Sequence, residues 1–419
     1  ESPLWAFTRE HGEAFIFGKT DGEMGHNLFS IFYRIGMRFI AGPIYNEARE
    51  ITDYAAGSGM YSNCYMDVSP CAIQVDAAME KAGVSFTNAS IMSRVAVKPS
   101  NRGPVKFTGC GFWATQDLAE HAVLEGRGTV FFESCHFSDW DRAHRGVPCI
   151  DANNRRLVIT GCEFNTERDD HQVLRLGPRV RSAVVTSNLM PGGKHIVNNA
   201  PGADVHIARN AVEPPRNYIE QWMVLGPFAA EPPHAALDTD FLGGEADAII
   251  TRDTTATVDD KTLRAQPLEA NDRHRVDLHE LYPAREQAAY AFAWLDSPRA
   301  QPAYFEMGMN DGGTVYVNGE RVYERLGPLG AQCRPGMDMF DAQLEAGRNR
   351  LLVKLVDTGG SKWEFVCEVY GEDGAPVPSA GFRVENREAF RRSPRPAVRM
   401  EKPAAFLART RERGRMLAE

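Results

Sequence analysis

The 419-residue chain has no uninterrupted apolar run of the ~18 residues that a bilayer-spanning helix requires, so no membrane span is expected. It has no excess of positive charge either. The formal net charge is −9 at pH 7, which argues against a partner held by phosphate neutralisation, and nucleic acid is not expected. Its eight cysteines are too few for a disulfide scaffold in a chain this long. No His and Cys pair shows zinc-ligand spacing, so no zinc is expected. The opening, ESPLWAFTRE, has neither the basic start nor the apolar stretch of an export leader. It reads as mature or mid-protein sequence. The lack of an evident capping helix before the repeats suggests residues upstream, and the expected location is secreted or periplasmic. Lys19 to His26 lacks the glycine spacing of a phosphate loop and reads as part of an early coil.

What is present is a repeat. Six copies of one phrase, VSFTNASI, VKFTGCGF, VFFESCHF, LVITGCEF, AVVTSNLM and VHIARNAV, run from Val84 to Val212 at intervals of 21 to 27 residues. Their third positions are Phe86, Phe107, Phe132, Ile159, Val185 and Ile207. Three residues on stand Ala89, Cys110, Cys135, Cys162, Asn188 and Asn210. Fainter copies around Tyr61 and Phe39 take the series to at least eight rungs. Such a period, built from short β-type pieces, marks a solenoid whose units bury their apolar stripe only by stacking. The cysteines then fall on one ladder, point inward in parallel and are expected to be reduced.

A second aliphatic ladder, Val75, Val97, Leu124, Ile150, Leu174 and Val197, precedes a polar row: Asp76, Lys98, Glu125, Asp151, Arg175 and Asn198. Alternation puts the aliphatic residue inward and the polar one outward. Three short strands and three corners per coil follow. The corner asparagines, the inward aromatic stack and the coil length resemble the right-handed parallel β-helix of the pectate-lyase-like superfamily, over roughly residues 36 to 215. The resemblance implies a glycan-active protein.

After Pro214-Pro215 the idiom changes to alternating strands near 289–295, 303–309, 314–323, 350–356 and 363–370. Asn310 to Gly313 and Asn318-Gly319 read as hairpin turns, so an antiparallel sandwich is expected. Trp222 to Phe228, Val317-Asn318-Gly319 and the Leu344 to Asn349 turn resemble the jelly-roll accessory modules of glycan-degrading enzymes. The expected fold is therefore all-β. A right-handed parallel β-helix over 1–215 is followed by a jelly-roll-like β-sandwich over 216–378 and a basic, proline-containing tail over 379–419. Residues 383 to 419 carry eleven Arg and Lys against five Asp and Glu.

Chemistry is expected on the outward polar row. Three long segments, 113–122, 138–148 and 165–172, stack as one wall of a groove whose floor is that row. Glu125 and Asp151, on adjacent rungs ~4.8 Å apart by strand spacing, are the candidate acid and nucleophile or base. Asp141 or Asp170, overhanging, is the candidate for a longer carboxyl separation. Trp113 and Trp140 are candidates for stacking on sugar rings, and His144, His171, Arg175 and Lys98 for substrate contacts. No cofactor is required, although the loop acids leave calcium open. Acid-rich loops repel a polyanion. A glycoside hydrolase acting on a neutral or lightly charged poly- or oligosaccharide is thus favoured over a lyase using Lys98 or Arg175, or a non-catalytic glycan-binding or adhesin-type protein. A homo-oligomer is compatible with either.

Overall fold

The structure, a computed structural model, describes residues 3–380 apart from 115–116, 167, 169–170, 193–194, 214–215, 230–231, 259–260, 272 and 328–332. Two compact units divide at residue 216. Among the described residues no helix is long and apolar enough to cross a membrane.

The first unit is a parallel β-helix. Three sheets of eight strands each run along it, so the chain completes eight coils. A representative coil gives Ala122–Leu124 to sheet 1, Thr129–Glu133 to sheet 2 and His136–Ser138 to sheet 3. All neighbours within these sheets pair in parallel, and Tyr61, Phe86, Phe107, Phe132, Ile159, Val185 and Ile207 stand in one register on sheet 2. Their rings stack at the rung spacing: Phe86 on Phe107 at 5.1 Å and Phe107 on Phe132 at 5.2 Å between centroids. On sheet 3, Phe112, Phe137 and Phe164 repeat the arrangement at 4.5 and 4.8 Å. Offset stacking adds about 0.5–1.5 kcal/mol per pair beyond the area buried.

The corner between sheets 2 and 3 recurs in every coil for a local reason. Asn27, Asn63, Asn88, Gly109, Ser134, Gly161, Ser187 and Arg209 all have φ between 53° and 65°. That left-handed residue turns the chain, and glycine or asparagine there limits the strain. The next residue points inward and bonds to the coil before it. Cys110, Cys135 and Cys162 donate to the carbonyls of Phe86, Phe107 and Phe132. Asn188 and Asn210 do the same to Ile159 and Val185. All eight cysteines are free and buried.

Three expectations need correction here, and one inserted element had no counterpart in the sequence reading. A helix, Pro3–His11, precedes the first coil, and Thr8 caps it onward by accepting the Gly12 and Arg34 amides. A β-hairpin, Ala41–Tyr45 with Ile51–Ala56, is inserted in the second coil. The second ladder is also shifted. Leu124 pairs with Ala152 rather than Ile150, Ala152 with Leu176, and Leu176 with Asn198. Ile150 and Ala152 both face inward and are fully buried, so the apolar pattern fits either register equally. Finally, Asn310 to Gly313 is not a hairpin. It carries the chain from Gln301–Met309 in one sheet to Gly312–Val317 in the other. The Asn310 side chain accepts the Glu364 amide and Asp311 the Thr358 amide, fixing that crossing.

The second unit is an antiparallel sandwich. A seven-stranded sheet including Gln221–Ala229, Gln287–Ser297 and Gly347–Val356 faces a four-stranded sheet built on Gln301–Met309, Asp338–Leu344 and Glu364–Gly371. Trp222, Phe305, Phe365 and Cys367 meet in the core between them. Asn318 (φ 50°) and Gly319 (φ 89°) form the expected two-residue hairpin turn. Ser379–Ala380 still pairs with Gln287–Ser297, and the tail beyond it lies outside the described residues.

Candidate functional site

Long loops lead from sheet 3 back to sheet 1 in three successive coils: Phe112 to Ala122, Ser138 to Ile150 and Asn165 to Leu174. They lead into the start of the sheet 1 strands and bond to one another, the Asp141 amide to the Ala119 carbonyl and the His121 amide to the Cys149 carbonyl. Outward along sheet 1 stand Arg38, Gln74, Ala96, Val123, Asp151, Arg175 and Val197. Glu125 follows Leu124 by one residue and Lys98 follows Val97 likewise, so these two are neighbours at the corner beyond the strands.

Asp151 is thus opposite Val123, not Glu125. One rung and two residues separate the two acids, or roughly 8 Å between Cα atoms on ideal strand spacing. Val123, opposite Asp151 and two residues before Glu125, adjoins both. Asp151 is held by a two-pronged bond from Arg175, with Nε to Oδ1 at 2.9 Å and Nη2 to Oδ2 at 2.5 Å. That bond, foremost, raises the Arg175 pKa, and Glu120 adds to the effect. Glu120, in the loop before Ala122–Leu124, therefore joins this cluster. The sequence reading missed it because no rung position marks a loop residue. Among the described residues, Lys98 and Glu125 have no side-chain hydrogen bond or ion pair, and both are half-buried.

The loops are built differently from expectation. Trp140 is 0% exposed and packs edge-on against Phe164, its indole donating to the Gln172 carbonyl. It is a core residue and offers no face to a sugar. Asp141 is 2% exposed, and its oxygens accept the Arg145, Gly146 and Val147 amides. Its carboxylate holds together a turn in which Asp139, Asp141 and His144 all have positive φ, so it is a structural residue. Residues in that region carry strain of about 1–3 kcal/mol each, which only over-determined surroundings sustain. His171 sits between Trp140 and His144, 5.7 Å from each ring, and its Nδ1 lies 2.7 Å from Thr166 Oγ1. Trp113 is half-buried at the far end of its loop, bonded to Ser90 on sheet 3. Asp170 lies outside the described residues.

His121 illustrates how deep the loop bases lie. It packs near Phe112 and Phe137, bonds through Nε2 to the Ser138 carbonyl, and burial lowers its pKa to about 4. It is a neutral core histidine. Among the described residues no three acidic, histidine or cysteine side chains gather as a metal site. The structure therefore places Asp151 and Arg175 on the floor, with Lys98 and Glu125 at the corner beyond it and Glu120 in the loop before it. Trp140, Asp141, His144 and His171 stay within the loop packing, and Trp113 stands apart.

No protein-family model matches the chain, and no curated protein does. Among solved structures it is similar to the enzymatically active domain of tailspike protein 4 from bacteriophage CBA120. The identity is 10% and the TM-score 0.20, over 87% of this chain and 65% of that one. It is also similar to the tailspike protein of the Acinetobacter baumannii phage AM24, at 9% identity and TM-score 0.26, over 88% of this chain and 69% of that one. The chain thus spans about two thirds of each. Similarity at this level does not define a family.

Proposed function

We propose that sheet 1 and the loops leading into it form a glycan groove, and that the chain is a glycoside hydrolase acting on a neutral or lightly charged poly- or oligosaccharide. The arrangement around Val123 carries this reading. An apolar side chain there adjoins two carboxylates, opposite Asp151 and two residues before Glu125, with Lys98 and Arg175 at the flanks. A sugar ring presents an apolar face and a hydroxyl rim, and this strip offers a counterpart to each. Glu125 is the proton donor in this reading, and Asp151, oriented by Arg175, is the base that activates water. Their diagonal placement suits the longer separation of about 6.5–9.5 Å used for inversion rather than the roughly 5 Å of a double displacement. The asparagine ladder at Asn188 and Asn210 is in keeping with the pectate-lyase-like resemblance.

One observation favours a second reading, glycan binding without turnover: both Asp151 oxygens are already engaged by Arg175. A panel of polysaccharides decides between them. Wild-type protein should release reducing ends from at least one glycan, without the ultraviolet absorbance of unsaturated products. Glu125→Gln and Asp151→Asn should each lose at least 100-fold, the scale of general acid or base catalysis. Retention without release of reducing ends supports the second reading. Unsaturated products point instead to elimination through Lys98.

A further inference from the structure

The nine-residue helix Pro3–His11, which precedes the first coil, has no buried residue. Isolated helices shorter than about 12–15 residues are marginal in water, and most take their stability from packing an apolar face. This one packs on one side. Trp5 stacks on Phe32 with ring centroids 4.7 Å apart, and the Thr8 carbonyl accepts the Arg34 amide. Phe32 has φ 63°, rare for an aromatic residue, and that strain is held where its ring meets Trp5. The other side of the helix carries Leu4, Phe7 and His11, whose i, i+3 and i+7 spacing puts them on one face. Leu4 is 66% and Phe7 61% exposed, with the His11 ring 5.0 Å from that of Phe7. Immediately before Phe32 in the chain, the strand Phe29–Ile31 turns both its end residues outward, Phe29 at 53% exposed.

So much apolar surface has a size that can be compared with known interfaces. At ~200 Å² for a large side chain, Leu4, Trp5, Phe7, Phe29 and Ile31 leave about 500 Å² open to solvent. A standard interface removes ~800 Å² from each partner, of which ~57% is apolar, so this end alone supplies the apolar content of one. Thr8 turns its hydroxyl back onto the Leu4 and Trp5 carbonyls, leaving aliphatic and aromatic surface that suits a protein rather than a sugar. The helix carries Arg9, Glu10 and His11, close to neutral. Two copies therefore meet there without the repulsion that a net charge of −9 imposes on the chain as a whole. Phe7 is the middle residue of Pro3–His11. About a two-fold axis, two such helices packed antiparallel place Phe7 on its counterpart and Leu4 against His11. We propose that this end of the β-helix is an isologous interface between two copies of the chain, helix against helix, with Phe29 and Ile31 at its edge. The inference goes beyond the groove reading and does not depend on it.

The test uses the whole chain. Sedimentation velocity and light scattering from about 1 to 100 µM should show a reversible change from 46.5 kDa to twice that mass. Leu4→Lys with Phe7→Lys should raise the dissociation constant at least about 100-fold. The melting temperature at the lowest concentration should stay unchanged, because both side chains are exposed. All eight native cysteines are buried, so Phe7→Cys supplies one accessible thiol. Mild oxidation should join it to its counterpart as a covalent dimer, whereas Lys106→Cys, exposed on sheet 2, should stay single. A single-chain mass throughout, assembly that survives the double lysine variant, assemblies of three or more chains, or equal cross-linking of the two cysteine variants would each overturn the interface.

Discussion

Replacing Asn188 by alanine tests the stacking on which the β-helix rests. Asn188 is 1% exposed. Its Oδ1 accepts the Cys162 amide at 2.9 Å, and its Nδ2 reaches the Ile159 carbonyl at 3.2 Å and Asn210 Oδ1 at 2.9 Å. Alanine strands the buried Cys162 amide, at about 1–3 kcal/mol, and removes bonds worth about 0.5–1.5 kcal/mol each from the carbonyl side. The loss of stability should be about 3 kcal/mol. Cysteine at the same position should recover most of it. The coils before it already use sulfur this way: the Cys135 amide faces the Cys162 sulfur, and the Cys110 amide faces that of Cys135. Asn188→Cys should therefore cost about 1 kcal/mol. Equilibrium unfolding in denaturant, followed by far-ultraviolet circular dichroism, measures both, with the midpoint shifting and the slope unchanged. A loss below about 0.5 kcal/mol for alanine, or cysteine no better than alanine, would refute the view that this corner residue ties coil to coil.

Other consequences are as direct. Trp140→Ala should cost about 3–5 kcal/mol as a core truncation, whereas Trp140→Phe should leave any glycan affinity unchanged; a selective loss of affinity in the phenylalanine variant would place the indole in the groove after all. Burial raises the Glu368 pKa to about 7 in the sandwich. The folded state therefore holds a proton that the unfolded state releases near the usual carboxylate pKa, so stability falls as pH rises through 7, by about 3 kcal/mol in all. Glu368→Gln should flatten that dependence in melts from pH 5 to 8. His121 acts in the opposite sense. Its pKa of about 4 lies below that of the unfolded imidazole, so the β-helix should lose about 3 kcal/mol as pH falls from about 6.5 towards 4, and substituting glutamine should abolish the slope.

The parts of the fold legible in the sequence were those for which one residue type satisfies one geometric demand. The anchors Phe86 to Val185 are apolar and recur at every coil, and stacking buries all of them, while Ile207 on the last coil is left 42% exposed. The corner that follows needs a left-handed residue and then a small inward donor, and the Thr-Gly-Cys and Ser-Asn steps supply both. Where two residues meet a demand equally, the reading failed. Ile150 and Ala152 are both inward, so a two-residue slip leaves the core intact and still moves Asp151 from beside Glu125 to beside Val123. Trp140 and Asp141 were misread for a related reason. A tryptophan beside an aspartate in a long loop has the composition of a sugar site, but here the ring anchors the loop and the carboxylate binds its amides. Glu120 carried no periodic signal, because a loop residue answers to no repeat. The slip has a functional meaning. In a solenoid the inward residues fix which coil lies on which, while the outward row is free to vary, so a register shift rearranges the charges on the floor without cost to the core. Whether Glu125 and Asp151 act together is therefore decided by side chains that touch neither: exchanging Ile150 and Ala152 by paired substitution should disturb any groove activity far more than it disturbs the melting temperature.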